Sequence, residues 1–317
     1  DNFGRSVSIS GDYAIVGALY DDDNGTDSGS AYIFQRTGPT GSNSWDAGTK
    51  ITAADGAASD QFGYSVSISG DYAIVGAPYH DDDPALNTGS AYIFRRTGTN
   101  SWDAGTKIVA SDRAQGDALG YSVSISGNYA IVGARGDDDN GSYTGSAYIF
   151  RRADTNSWDG GTKIVASDGA AGDYFGESVA ISGDYAIVGA MYDGDNGSQS
   201  GSAYIFRRTD ADSWDAGSKI VASDGAAGDN FGESVSISAD YAIVGAPSDE
   251  VGSTGSGSAH IFRRTGTTSW ESSAKIVASD GVSQVGLAVS ISGDYAIVHA
   301  YDSGSSTESA YIRWITP

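Results

Sequence analysis

The chain is one unit written six times. The segment Asp12-Tyr13-Ala14-Ile15-Val16-Gly17-Ala18 returns with its tyrosine at Tyr72, Tyr129, Tyr185, Tyr241 and Tyr295, at spacings of 59, 57, 56, 56 and 54 residues. A fixed period of this kind marks a repeat architecture, in which each unit buries its faces against its neighbours. Six copies, starting near residues 3, 62, 119, 175, 231 and 285, fill residues 1–317 as a single domain and leave no room for another.

Each unit reads as four short strands. Ser-Val-Ser-Ile-Ser at 65–69 meets a two-residue hairpin turn, Gly70-Asp71, and then Tyr-Ala-Ile-Val-Gly-Ala at 72–77. A polar loop rich in Asp and Gly leads to a third strand, Ser-Ala-Tyr-Ile-Phe-Arg-Arg at 90–96, and a loop holding Trp102 leads to a fourth from Lys107 to Ser111. β-branched and aromatic residues fill the strands, Gly, Asp, Asn and Ser punctuate them, and no helical period appears. A solenoid repeat is usually shorter and a sandwich does not repeat its sequence. The expected fold is therefore all-β, a six-bladed β-propeller of four-stranded antiparallel blades. The Lys-Ile strand occurs only five times, from Lys50, Lys107, Lys163, Lys219 and Lys275, so the last blade lacks its own fourth strand. Its edge, with Ala310, Ile312 and Trp314, is expected to be open to strand addition.

These residues carry a resemblance. Phe62-Gly63 opens the second unit and Gly76-Ala77-Pro78 closes its second strand. The Phe-Gly pair recurs at 3–4, 175–176 and 231–232 and drifts to Leu119-Gly120 and Val285-Gly286; Gly-Ala-Pro recurs at 245–247. The pattern resembles the FG-GAP repeat of integrin-alpha-type propellers, in the compact form found in secreted and surface proteins, and it covers essentially the whole chain. The resemblance implies binding or adhesion at the cell surface or outside the cell, without catalysis. Integrin-type blades carry an Asp-rich calcium loop between the first and second strands. Here that connection is only Gly11-Asp12 or Gly127-Asn128, so that loop is not carried over.

Charge narrows the partners. There are 41 Asp and Glu against 18 Lys and Arg, a net charge of −23. Nucleic acid and anionic membranes repel such a surface, while cations and basic partners are attracted to it. In a propeller, second-to-third and fourth-to-first connections emerge at one end of the blades. By that rule 25 acidic residues meet only Arg113 and Arg135 at that end, and 15 basic residues, the five strand lysines among them, meet 13 acids at the other. There is no Cys, which excludes disulfides and thiol chemistry. No apolar run approaches the ~20 residues that span a bilayer. The chain opens at Asp1 rather than Met and shows no signal peptide, so a processed or trimmed product is expected.

The acidic loops are the first candidate site. Four share an Asp-x-Asp core: Asp21 and Asp23, Asp81 and Asp83, Asp137 and Asp139, Asp193 and Asp195. Alternating carboxylates before a Gly turn can wrap calcium with oxygen ligands, but the closing Glu of an EF-hand is missing. The competing reading is of solvated, turn-forming residues. The same loops hold the sequons Asn24-Gly25-Thr26, Asn140-Gly141-Ser142 and Asn196-Gly197-Ser198, glycan acceptors in a secreted eukaryotic protein. At the opposite end, Trp45, Trp102, Trp158, Trp214 and Trp270 either stack on a sugar or close the hairpin of their own blade. His80, His260 and His299 are unrelated by the repeat, so no symmetric His site exists, and no catalytic set is proposed. The expected function is an extracellular or cell-surface binding propeller, not an enzyme, with a protein or glycan as partner. A structural subunit that self-assembles through the open edge, and a glycan-binding module, are the alternatives.

Overall fold

Gly at the hairpin turn and alternating Val and Ile before it dictate the first two strands of every repeat. In the computed structural model they form where the pattern places them, as Ser65–Ser69 and Tyr72–Ala77 in the second repeat. Gly70 takes a φ of 58°, a left-handed conformation that Gly adopts without steric cost. The structure describes residues 1–38, 43–81, 87–251, 254–278, 284–302 and 307–315.

The fold is the six-bladed β-propeller expected, a set of small antiparallel sheets with no helix among the described residues. Blade one orders Phe3–Ser10, Tyr13–Ala18, Ser30–Gln35 and Thr49–Ile51, each hydrogen-bonded to the next. Blade six has three strands, Val285–Ser292, Tyr295–Asp302 and Thr307–Trp314. The fourth strands are shorter than the sequence suggests, with only Thr106–Ile108 in blade two. Blade five adds a small ribbon of Glu250–Val251 and Thr254–Gly255. The chain packs as two compact units, one of residues 1–137 and 148–163, the other of 138–147 and 164–317.

Within each unit, apolar layers form between consecutive blades. In the first layer Tyr13, Ile15, Ala31, Ile33 and Ile51 of blade one meet Phe62, Val66, Ile68, Val75, Tyr92 and Phe94 of blade two. Residues of the same kind rebuild this layer between blades two and three, four and five, and five and six. The phenylalanine of the Phe-Gly pair lies edge-on beneath the third strand of its own blade, with Phe62 at 5.5 Å from Tyr92 and 6.0 Å from Phe94. Such ring geometry adds stability beyond the area buried.

The second-strand glycine has a separate reason. A Cβ on Gly189 would lie 2.0 Å from the carbonyl oxygen of Gly232 in the next blade, and Gly17, Gly76 and Gly245 repeat that close approach. Blade six has His299 at this place, and no following blade presses on it in its unit. Its outward face is exposed at Tyr295, Ile297 and Ile312. Blade one, with no preceding blade in its own unit, is likewise exposed at Phe3, Val7 and Ile9.

Gly189→Ala should therefore cost about 3 kcal/mol, because the new methyl has a backbone carbonyl in its way. His299→Gly should cost no more than about 1 kcal/mol, the entropy of a strand glycine. Urea melts of the two variants check the contrast.

Candidate functional site

The strand register places a lysine opposite a tyrosine in blades one, two and four. Tyr32 pairs with Lys50, Tyr92 with Lys107 and Tyr204 with Lys219; in blade five the tyrosine is replaced and His260 pairs with Lys275. From there the ammonium reaches into the Asp-rich loops. Lys50 Nζ donates to both oxygens of Asp21, at 2.9 and 2.8 Å, and to Asp23. Lys219 Nζ lies 2.7 Å from Asp193, 2.6 Å from Asp195 and 2.9 Å from Asp168. Lys163 is held 2.6 Å from Asp137 and 2.9 Å from Asp112, and Lys275 2.6 Å from Asp249 and 2.7 Å from Asp224. The five lysines assigned by strand order to the opposite end thus bring their charge to the acidic end. The short fourth strand accounts for this: in Thr106–Ile108 the lysine stands one place from the turn at the acidic end, and its methylene stem covers the rest.

The carboxylates around each lysine are organised by the same elements. The Tyr204 hydroxyl lies 2.8 Å from a carboxylate oxygen of Asp168 and 2.8 Å from one of Asp193, with its single hydrogen shared between them, and Lys219 Nζ sits 5.5 Å from the centre of that ring. Tyr148 repeats the bond to Asp112 at 2.6 Å, and Tyr92 the bond to Asp55 at 2.8 Å. Asp21 also accepts from the Ser30 hydroxyl at 2.9 Å and from the Asp23 N–H at 3.1 Å. Burial by itself would raise the Asp21 carboxyl, but the Lys50 hydrogen bonds and these added donors outweigh it and bring it down to about 2. Asp193 and Asp249 are held low in the same way, against burial, by Lys219 and by His260 and Lys275.

Asp21, Asp137 and Asp193 are buried, whereas Asp23, Asp139 and Asp195 are exposed. Asp81 does not take the buried place of Asp21, Asp137 and Asp193. Eight residues after the repeat tyrosine stand Asp21, Asp137, Asp193 and Asp249, and in blade two that place belongs to His80. His80 is buried between Asp60, whose carboxylate lies 2.7 Å from Nδ1, and Lys107, whose Nζ lies 2.6 Å from Nε2. Asp81 is exposed and accepts from the Asn87 N–H; Asp83 lies outside the described residues. A calcium ion takes about six to eight oxygen ligands. Here the buried carboxylate already answers an ammonium, a hydroxyl and an N–H, so the cluster as arranged does not fit that ion. Among the described residues, no three His, Asp or Glu side chains are grouped to hold a metal ion.

Other aspartates serve the backbone. Asp60, Asp117, Asp173 and Asp229 are buried and accept from the N–H groups of Ala57, Ala114, Ala170 and Ala226 at 2.6 to 2.8 Å, closing the turn into the next blade. Asn24, Asn140 and Asn196 are all exposed. Trp102, Trp158 and Trp270 are half-buried, each edge-on to a tyrosine of the preceding blade: Tyr13 at 6.2 Å, Tyr72 at 6.3 Å and Tyr185 at 5.7 Å. Trp214 is half-buried too, and Trp45 is exposed. For Trp102, Trp158 and Trp270 this geometry is that of packing side chains. Sequence reasoning passed over the residue after each Phe-Gly pair. In the first unit Tyr64 and Tyr121 lie 4.8 Å apart beneath the guanidiniums of Arg5 and Arg135. In the second unit burial, and then the charge of Glu177, push the Glu233 carboxyl up to about 7.

His80 gives a pH test. Burial lowers its affinity for a proton, but the bond and charge of Asp60, helped by Asp55 and opposed by Lys107, raise it above the ordinary 6.5. A raised folded-state value means stability that is complete below about pH 6.5 and lost as pH climbs through the folded value. His80→Asp should remove that decline, and chemical melts between about pH 6 and pH 9 check it.

The FG-GAP repeat model matches residues 1–34, 45–94, 102–150, 158–206 and 214–262, five of the six units. No curated protein matches the chain. Among solved structures, the β-propeller domain of the Trilobed protease from Pyrococcus furiosus, which has an open velcro topology, is similar at a TM-score of 0.54 and 11% identity, over 97% of this chain and 81% of that one. The periplasmic gluconolactonase of Pseudomonas aeruginosa is similar at a TM-score of 0.53 and 12% identity, over 98% of this chain and 88% of that one. At such identities the likeness is one of fold alone. Four of the matched repeats carry the Phe that underlies the third strand, the third having Leu119 there, and on these repeats the chain belongs to the FG-GAP repeat family.

Proposed function

We propose that the chain is a non-catalytic binding propeller, working outside the cell or at its surface, whose acidic loops engage a basic protein partner. The observation that carries this reading is the division of labour within the loops. One carboxylate is buried against a lysine and fixes the loop, while acids beside it, such as Asp22, Asp138 and Glu250, stand exposed at the same end of their blades. Fixed exposed charge raises the encounter rate with an oppositely charged surface and selects among partners. The lysines supply the positive charge that the sequence offered to calcium, so the display needs no metal. Family membership supports the binding role and the location. His80 and His260 are buried within their own blades, where they serve the loops rather than a cleft.

A deca-lysine peptide is the probe, titrated at low salt. Replacing Asp22, Asp138 and Glu250 by their amides should weaken binding severalfold. The same charge removed at the other end, by Asp154→Asn, Asp210→Asn and Asp212→Asn, should leave it nearly unchanged. Equal loss in both triple variants would mean attraction to net charge alone and would contradict the assignment to the loops.

A further inference from the structure

The second unit carries a seat whose occupant is written in the other blades. In four blades the third strand offers an N–H to the aspartate of the third-to-fourth hairpin: Gln35 to Asp46, Arg95 to Asp103, Arg151 to Asp159 and Arg207 to Asp215, each at 2.9 Å. The tryptophan just before that aspartate lies edge-on to the tyrosine of the preceding blade at Trp102 and Trp158, and Trp270, which precedes Glu271, does the same in blade five. The isoleucine of the hairpin's far arm pairs with the third-strand alanine, as Ile51 with Ala31, Ile108 with Ala91 and Ile220 with Ala203.

Blade six keeps the receiving half of this arrangement. By register with Arg263, Trp314 holds the place of the N–H donor, and Ala310 and Tyr311 hold the places that face Ile and Lys elsewhere. Alternation along a strand sends the N–H groups of Ala310, Ile312 and Trp314 to the same free edge. Beside that edge runs a groove lined by Tyr241, Ile261, Ile276, Arg313, Trp314 and Ile315. Tyr241 is the tyrosine that a blade-six tryptophan would cover. It is only half-buried, whereas Tyr13, Tyr72 and Tyr185 are buried, and the hydroxyl bond that those three make to a threonine carbonyl is not made by Tyr241 among the described residues. Arg313 stands where Phe262 stands in blade five, so the groove is lined there by a cationic side chain instead of a ring.

We propose that this edge and groove bind an extended segment of the form Trp-Asp-x-Gly-x-Lys-Ile. The tryptophan enters the groove over Tyr241, the aspartate accepts from the Trp314 N–H beside Arg313, and the isoleucine closes the ladder at Ala310. The backbone bonds supply affinity, and the aromatic and acidic pair supplies selectivity. This interaction is separate from the acidic loops and independent of the function proposed for them.

The test titrates the full chain into a labelled synthetic peptide of residues 211–222, Ala-Asp-Ser-Trp-Asp-Ala-Gly-Ser-Lys-Ile-Val-Ala, followed by fluorescence anisotropy. Saturable binding with one site is expected. Trp214→Ala in the peptide should weaken it at least about tenfold, and Asp215→Asn severalfold. In the protein, Ile312→Pro removes an edge donor that makes no bond within the sheet, so it should abolish binding while the circular dichroism spectrum stays native. Absence of saturation into the millimolar range, or equal affinity for the Trp214→Ala peptide, would overturn the proposal.

Discussion

The blades depend on a lysine ammonium enclosed by carboxylates. A buried aspartate such as Asp193 is costly unless its charge is answered and its lone pairs are filled. Lys219 answers the charge, and the Tyr204 hydroxyl and the Asp195 N–H fill the lone pairs. The lysine belongs to the fourth strand, the tyrosine to the third, one aspartate to the loop of its own blade and another to the turn that enters it. One cluster therefore ties four segments of chain together, and loops with few apolar residues gain a fixed shape. Substituted blades keep the principle and change the parts. His80 takes the place of the aspartate, and His260 the place of the tyrosine, bonded at 2.9 Å to Ser258.

Face-to-face packing is the second constraint, and it explains where the sequence stays constant and where it drifts. A glycine is kept wherever the carbonyl of the next blade lies within 2.0 Å of a would-be Cβ. Blade six is released from this demand and departs in a coherent set. His299 replaces the glycine, and Ala288 replaces the serine whose hydroxyl reaches the next blade's carbonyl at 2.8 Å from Ser6, Ser65 and Ser178. A further change, Arg313 for the core phenylalanine of the third strand, lies on the other face, toward blade five. Blades two and five, packed on both faces within their units, keep the pattern on both, and blade six changes at His299 and Ala288 on the face that no blade of its unit covers.

Much of this was legible in the sequence, for identifiable reasons. Strand bounds at 65–69 and 72–77 followed from alternation and from the Gly-Asp turn, which are local signals. The three-strand last blade followed from counting Lys-Ile strands. The lysine clusters were not read, because they require the third and fourth strands to be in register and a side chain to pass the end of its strand. The buried place in blade two shows a similar limit. The Asp run draws attention to Asp81, whereas counting eight residues from Tyr72 lands on His80. The available signal is the recurrence of the five lysines at one place in the repeat, but strand order alone puts their charge at the opposite end of the blades.

The central claim is that the positive charge in the acidic loops is the protein's own. The most direct measurement is the thermal midpoint of the intact chain in millimolar calcium and in excess chelator, at the same ionic strength. A ligand that binds only the folded state must raise the midpoint. With each seat already filled by lysine, the two midpoints should coincide. A rise of several degrees in calcium would contradict the account and return the loops to the role of metal sites.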